Sequence, residues 1–153
     1  MDVIIRKAEL ADIDLLIEWR MRVLYDVFPI SNSRPVAELE QENRRYYQSM
    51  LQTGGHIACF ACTEDEIVGC GGICIYQEMP SPDNASGRCA YLMNIYTCPE
   101  FRGNGVGKMV VQWLIEQAKQ RKITKIYLET SEKGRKLYER IGFFPMLDMM
   151  KLQ

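Results

Sequence analysis

A glycine-rich turn, residues 102–108, lies between a predicted strand and a long predicted helix. The turn reads Arg-Gly-Asn-Gly-Val-Gly-Lys, and apolar residues at helical spacing follow it to about residue 121. Backbone N–H groups in the first turn of a helix have no partners within the helix, and the helix dipole favours negative charge there. Glycines allow positive φ and let a phosphate approach the backbone closely. The turn therefore predicts a pyrophosphate site.

Two other phosphate-binding motifs fail on their spacing. A P-loop has four residues between its first glycine and its Gly-Lys pair, followed by Ser or Thr for magnesium. Here Gly103 and Gly107 enclose three residues, and Met109 follows Lys108. A dinucleotide fingerprint reads G-x-G-x-x-G in the first strand–helix unit. This chain has G-x-G-x-G after most of its predicted strands, so neither motif is expected.

Hydrophobic periodicity predicts the order strand, two helices, three largely antiparallel strands, helix, strand, helix, strand. The predicted strands are residues 3–8, 56–63, 67–76, 88–97, 125–129 and 143–152. The predicted helices are residues 12–27, 36–51, about 105–121 and 131–141, and residues 28–35 are expected to separate the first two. This order predicts an α+β fold with a mixed sheet. The length of 153 residues suits one domain over residues 1–153.

Composition excludes several classes of function. Nineteen basic and twenty acidic residues give a net charge of −1, so no general attraction to nucleic acid or to an anionic membrane is expected. No run of eighteen apolar residues predicts a membrane span, and the early Asp2 argues against a secretory signal, so a cytoplasmic protein is expected. Cys59 and Cys62 stand on a predicted strand at an odd separation, which directs them to opposite faces. With His56 as the one histidine, free thiols and no metal site are expected.

The pattern Arg102-x-x-Gly105-x-Gly107 resembles the acetyl-CoA motif of the GNAT superfamily of N-acetyltransferases. Residues 91–101, which read YLMNIYTCPEF, resemble the strand that leads into that motif. Residues 134–143, which read GRKLYERIGF, resemble the family's second signature. The order of the predicted elements is similar to that of the family over nearly the whole chain.

The resemblance implies a GNAT-like fold in which two strands, residues 88–97 and 125–129, splay apart to hold the pantetheine arm of acetyl-CoA. It implies transfer of the acetyl group to a primary amine, by direct attack in a ternary complex. Tyr138 is at the position of the general acid that protonates the departing thiolate. No residue is identified as the general base. The implied cofactor-binding residues are Ile95, Tyr96, Thr97, Arg102, Gly103, Asn104, Gly105, Val106, Gly107, Lys108, Ser131 and Gly134.

Two alternatives stay open at this point. The chain could be a non-catalytic CoA-binding or sensing module on the same fold, and the ring of Tyr138 could serve packing alone. The acceptor, a small-molecule amine or a peptide or protein amine, is expected near residues 25–34, the second helix and the loop 77–87. A homodimer is compatible with the resemblance, although no single segment of the sequence indicates one.

Overall fold

The computed structural model of the protein describes residues 1–30 and 34–153. Five strands form one sheet: β1 (Ile4–Lys7), β2 (His56–Cys62), β3 (Ile67–Gln77), β4 (Arg88–Thr97) and β5 (Lys125–Leu128). The helices are α1 (Ile13–Val27), α2 (Arg34–Thr53), α3 (Val106–Gln120) and α4 (Glu132–Ile141), with short 3-10 turns at Leu10–Asp12 and Pro99–Phe101. The predicted break at residues 28–35 includes residues 31–33, which lie outside the described residues.

The strands lie in the sheet in the order of the sequence, β1-β2-β3-β4-β5. The first four strands pair antiparallel, while β4 and β5 pair in parallel because α3 connects them. The prediction of an α+β fold with a mixed sheet is therefore confirmed. Within the described ranges, no helix is both long and apolar enough to cross a membrane.

Alternating residues of the strands direct apolar side chains to both faces of the sheet, and helices cover both faces. On one face, α1 and α2 pack through Trp19 and Tyr47 against Phe60 and Tyr96. On the other face, α3 packs through Val110 and other buried residues against the β2, β3 and β4 strands. The first is called the α1 face below and the second the α3 face. The six cysteines are free, and Cys59 and Cys62 contact opposite cores, as predicted.

The parallel pair of β4 and β5 is short, and this opens the sheet. Pairing begins at Cys89 with Lys125 and ends at Leu92 with Leu128, so β5 does not accompany residues 93–97 of β4. At the same level β4 has an irregular register against β3 between Cys70 and Gly72, and Asn94 has a φ of 61°. A bulge of this kind bends a strand and redirects its side chains. The gap between the two strands is where the splay was predicted.

The prediction of a strand over residues 143–152 is wrong. These residues form no regular element. Apart from the half-buried Phe143, their large apolar side chains are exposed, with Phe144 at 84%, Leu147 at 87% and Met150 at 100%. A strand needs a neighbour for its backbone groups, and β4 is the neighbour of β5 among the described residues. Pro145 also lacks the N–H that a paired position requires. The segment has the apolar pattern of a strand, but no strand pairs with it in the described part of the chain.

Candidate functional site

The glycine-rich turn joins the end of β4 to the start of α3. Gly103 and Gly105 have φ values of 83° and 81°, a region that residues with a side chain rarely adopt. The side-chain amide of Asn104 donates to the carbonyl oxygens of Phe101, at 3.1 Å, and Arg102, at 3.3 Å, and so holds the turn. A Cβ atom on either glycine would meet no atom within 4 Å, so this side of the turn is open.

The first turn of α3 offers backbone donors that the chain leaves free. In the structure as described, no carbonyl or side chain accepts a hydrogen bond from the N–H groups of Gly105, Val106, Gly107 or Lys108. The first intrahelical bond of this helix runs from the N–H of Met109 to the carbonyl of Gly105, at 3.1 Å. Four unpartnered donors at the positive end of a 15-residue helix form a site that an anion fits.

The basic side chains of Arg102 and Lys108 contribute less to the anion site at this turn than the sequence suggests. The Arg102 Nε donates to the Thr97 carbonyl at 2.9 Å, and its guanidinium lies 5.5 Å from the ring centre of Tyr96 and 3.4 Å from the Asp26 carboxylate. Arg102 therefore braces β4 against α1. Val106 is fully buried, so it offers its backbone alone. Lys108 is exposed, and no ion pair with it occurs in the described ranges.

The predicted contacts on β4 are backbone contacts. Tyr96 is 8% exposed and packs edge-on against Trp19, with ring centres 6.4 Å apart. Ile95 points to the α3 face, where it packs against the core there. Thr97 is half-buried and faces Gly107, since a Cβ on that glycine would lie 3.7 Å from the Thr97 Oγ1. The strand and the turn thus lie together at the open end of the β4–β5 pair.

Helix α4 closes the other side of this opening. Its first turn is capped by the Ser131 Oγ, which accepts from the Gly134 N–H at 3.4 Å. Leu137 reaches the turn, because a Cβ on Gly107 would lie 3.4 Å from its Cδ2. This contact brings α4, which carries Gly134 and Tyr138 and is capped by Ser131, next to the glycine turn. A methyl group on Gly134 would come within 2.6 Å of the Thr130 Oγ1, so this position favours glycine.

The Tyr138 side chain is held by its ring and free at its hydroxyl. The ring packs edge-on against Phe143, with centres 5.9 Å apart, and joins the α3-face core. The hydroxyl makes no hydrogen bond within the described residues, and none of their fully buried polar side-chain atoms lacks a partner. The hydroxyl is therefore accessible. Burial raises the pKa of Tyr138, so the group is protonated at neutral pH, the form that a general acid requires.

A polar network on the α1 face lies beside the β4 bulge, and sequence reasoning did not identify it. Arg20 of α1 donates from Nη1 to the Asn94 Oδ1 at 2.9 Å and from Nε to the Asn43 Oδ1 at 3.1 Å. The signal in the sequence was the place of Arg20 in α1. It falls within the apolar stripe of buried residues, where a charge is unexpected: Leu16, Ile17, Val23 and Leu24.

A second group on this face surrounds His56. The Tyr46 hydroxyl lies 2.7 Å from the His56 Nδ1 and 2.9 Å from the Cys74 Sγ. Burial, and secondarily the charge of Arg20, lowers the pKa of His56 to about 4, so the imidazole is neutral at pH 7. Burial likewise raises the pKa of Tyr46 above its usual range. The Tyr46 hydroxyl therefore keeps its proton at pH 7. Both Tyr46 and His56 are uncharged beside the positive charge of Arg20.

Comparison with known proteins agrees with this architecture. The sequence profile of the Acetyltransferase (GNAT) family matches residues 16–143. A crystal structure of a predicted acetyltransferase with acetyl-CoA from Clostridium acetobutylicum has a TM-score of 0.89 and 31% identity, covering 99% of this chain and 96% of that one.

Two relatives match over part of their length. YjgM of Escherichia coli, an uncharacterized N-acetyltransferase, is 34% identical over 100 residues, which are 63% of this chain and 56% of the relative. The match thus spans little more than half of that protein. A glucosamine 6-phosphate N-acetyltransferase of Trypanosoma brucei brucei is 30% identical over 116 residues, 74% of this chain and 75% of the relative.

A mixed sheet that opens at a bulged strand, with a glycine turn and free helix N–H groups at the opening, agrees with the similarity in fold to these acetyltransferases. The profile match covers most of the chain, and the relatives are named N-acetyltransferases. The chain belongs to the GNAT acetyltransferase family.

Proposed function

We propose that this chain transfers the acetyl group of acetyl-CoA to a primary amine, by direct attack in a ternary complex. The observation that carries the proposal is the row of four unpartnered N–H groups at Gly105–Lys108, behind two glycines of positive φ. These donors suit the pyrophosphate of CoA, because they are fixed before the ligand arrives and stand at a helix N-terminus. The turn requires no metal ion for this role.

Other residues at the opening would bind the pantetheine arm and stabilise the developing oxyanion. The backbone of Ile95, Tyr96 and Thr97 lacks β5 as a neighbour and would hold the pantetheine arm as a missing strand. An N–H of this segment would face the thioester carbonyl, where a fixed dipole stabilises the oxyanion that develops. Ser131 and Gly134 would contact the arm from α4. The side chains of Arg102 and Asn104 would act indirectly, by holding the turn.

Tyr138 would supply the proton that the reaction needs at sulfur. When the amine nitrogen attacks, the C–N bond forms and the C–S bond breaks, leaving a thiolate and an amide that must lose its extra proton. The Tyr138 hydroxyl would donate to the thiolate, since it is protonated, accessible and not engaged elsewhere in the described residues. The proton lost by the amine would pass to solvent or to the acceptor side of the opening.

The test of this function compares the wild type with Tyr138→Phe in an assay of CoA release over a panel of amines. The wild type should release CoA above the acceptor-free background with at least one amine. The variant keeps the ring contact with Phe143, so acetyl-CoA affinity should hold while kcat falls by about 10²–10⁴, with the lower end expected because water can substitute in part.

The contrary outcomes are distinct. A variant with wild-type kcat would make Tyr138 a packing residue, and its unfolding free energy would then show any structural effect of the hydroxyl. A wild type that binds acetyl-CoA but acetylates no amine in the panel would favour the alternative, a non-catalytic CoA-binding or sensing module. The amino-sugar acceptor of the Trypanosoma relative makes amino sugars and their phosphates a sensible part of the panel.

We also propose that the chain forms a homodimer through residues 143–152. These residues carry exposed apolar side chains over a segment whose pattern suits a strand, and the outer edge of β5 is unpaired among the described residues. Exposed apolar patches of this kind mark interaction sites, and an open sheet edge accepts an added strand. A second copy supplies both partners at once.

A further inference from the structure

Arg20 connects three elements at the centre of the α1 face. It stands on α1, donates to Asn43 on α2 and to Asn94 on β4, and is half-buried. Asn43 is itself fixed, because its Nδ2 donates to the Leu39 carbonyl at 2.8 Å. The guanidinium is therefore held in one position without any ligand. A fixed guanidinium presents donors in a planar fork that matches a carboxylate or a phosphate.

The charge of Arg20 has no counter-charge in the described part of the chain. Both of its hydrogen-bond partners are neutral amide oxygens, and no carboxylate there forms an ion pair with it. Its field is felt by its neighbours, since it contributes to the lowered pKa of His56 and opposes the raised pKa of Cys70. A partly desolvated cation without an anion is costly, so an external anion would be stabilised here.

The guanidinium is also accessible. The Arg20 Nη2 has no hydrogen-bond partner among the described residues. Every fully buried side-chain nitrogen or oxygen in those residues has a partner, so Nη2 is not fully buried. This nitrogen must therefore reach solvent. The other two nitrogens are occupied by Asn43 and Asn94, so a ligand would approach the free edge of the fork.

Arg121 shows why the lack of a counter-charge at Arg20 is informative. Arg121 is half-buried too, and its Nη1 donates to the neutral carbonyl of Gln117 at 2.9 Å. However, that carbonyl belongs to the last turn of α3, where the helix dipole supplies negative charge. Arg20 lies in the middle of α1, away from any helix C-terminus, and has no such compensation.

The position of Arg20 relates this anion site to the reaction. Its partner Asn94 is the residue of positive φ at which β4 separates from β5, and Ile95 follows directly. Under the proposed function, the thioester carbonyl lies at this point of β4. The glycine turn and α3 serve the cofactor from the other face, so the pyrophosphate is not the anion beside Arg20.

We propose that Arg20 binds an acidic group of the acceptor, and that the acceptor is an amine carrying a carboxylate or a phosphate. Asn43 and Asn94 position the guanidinium, and the acceptor's anion completes its fork with charge-assisted hydrogen bonds. The identification of the bound molecule as the acceptor rests on the proposed function, whereas the anion site at Arg20 does not.

The experiment uses matched pairs that differ only in the acidic group. O-phosphoethanolamine is compared with ethanolamine, and β-alanine with β-alaninamide, so the two pairs distinguish phosphate from carboxylate. Binding to the CoA-saturated protein is measured by calorimetry, and turnover with acetyl-CoA by CoA release. The variants are Arg20→Gln, which keeps much of the stem and removes the charge, and Arg121→Gln as the matched control. Acetyl-CoA affinity and melting temperature are recorded for each.

In the wild type and in Arg121→Gln, at least one acid should bind about tenfold or more tightly than its neutral partner, the ratio expected for a charge-assisted hydrogen bond. Arg20→Gln should abolish that preference while acetyl-CoA affinity holds. Acid binding that depends on Arg20 without any turnover would support the anion site and count against the proposed function. Equal binding of acid and neutral partners by the wild type would overturn the inference. Loss of acetyl-CoA binding in Arg20→Gln would show a brace rather than an anion site, and would also overturn it.

Discussion

Single residues set the geometry of the glycine turn through their backbone. Gly103 and Gly105 take positive φ on an open surface, so their role is conformational and not one of close packing in the free protein. Gly54 is a natural comparison, because its φ is 78° and a Cβ on it would also meet no atom within 4 Å. A residue with a side chain would thus be strained in the same way at Gly54 and at Gly105, but only Gly105 lies beside the free N–H groups of α3.

The comparison gives a prediction with an internal control. Gly105→Val and Gly54→Val should each destabilise the fold by about 1–3 kcal/mol, the strain of a β-branched residue at positive φ. Only Gly105→Val should weaken CoA binding, by about tenfold or more, because its side chain obstructs the phosphate and shifts the donors. Calorimetric titration of CoA checks the affinities, and chemical denaturation checks the stabilities. Equal CoA affinity in both folded variants would exclude the turn as the pyrophosphate site.

At this scale the sequence predicted the turn but not the direction of its side chains. The spacing of Gly105 and Gly107 is local, so the motif could be recognised without the fold. That Arg102 braces Thr97 and Asp26 could not be seen, since Asp26 is 76 residues away. The contact of Arg20 with Asn94 spans 74 residues and depends on how α1 lies on the sheet. Long-range pairs of this kind follow from packing, which a single sequence does not display.

The elements were predicted well where they pair with their neighbours in the chain. The hairpin of β2 and β3 and the helices α3 and α4 lie within a few residues of their predicted bounds, because alternation and helical periodicity are local signals. The last predicted strand was wrong for the complementary reason. Its pattern is that of a strand, yet a strand exists only where another edge accepts its backbone groups. Among residues 1–30 and 34–153, no edge pairs with this segment.

The exposed tail yields a prediction about assembly. The wild type should be a dimer at tens of micromolar by sedimentation equilibrium. The double variant Leu147→Lys, Met150→Lys should be a monomer, because it places a charge on each face of the paired segment. Met79→Lys is the matched control, since Met79 is 89% exposed on the loop between β3 and β4 and lies outside the tail. It should leave the dimer intact. A monomeric wild type would contradict the proposed assembly.

On the scale of the whole molecule, the sheet separates two kinds of chemistry. The glycine turn at the start of α3 presents free backbone donors, which under the proposed function bind the pyrophosphate of CoA. The α1 face presents Arg20 and its neutral polar neighbours. The two meet where β4 leaves β5, at the bulge of Asn94. A net charge of −1 gives no general attraction for anions, so the two proposed anion sites would depend on these local arrangements.

Ligand-dependent thermal unfolding shows whether the opening between β4 and β5, with the glycine turn beside it, binds acetyl-CoA. Acetyl-CoA at about 100 times its dissociation constant should stabilise the native state by roughly 2.7 kcal/mol. For a domain of this size that is a rise of about 5–10 °C in Tm, with or without magnesium. Desulfo-CoA should give a similar rise, because the turn contacts the pyrophosphate and not the sulfur. A rise in Tm with ATP and magnesium or with NAD, and none with acetyl-CoA or CoA, would exclude an acetyl-CoA site at this opening.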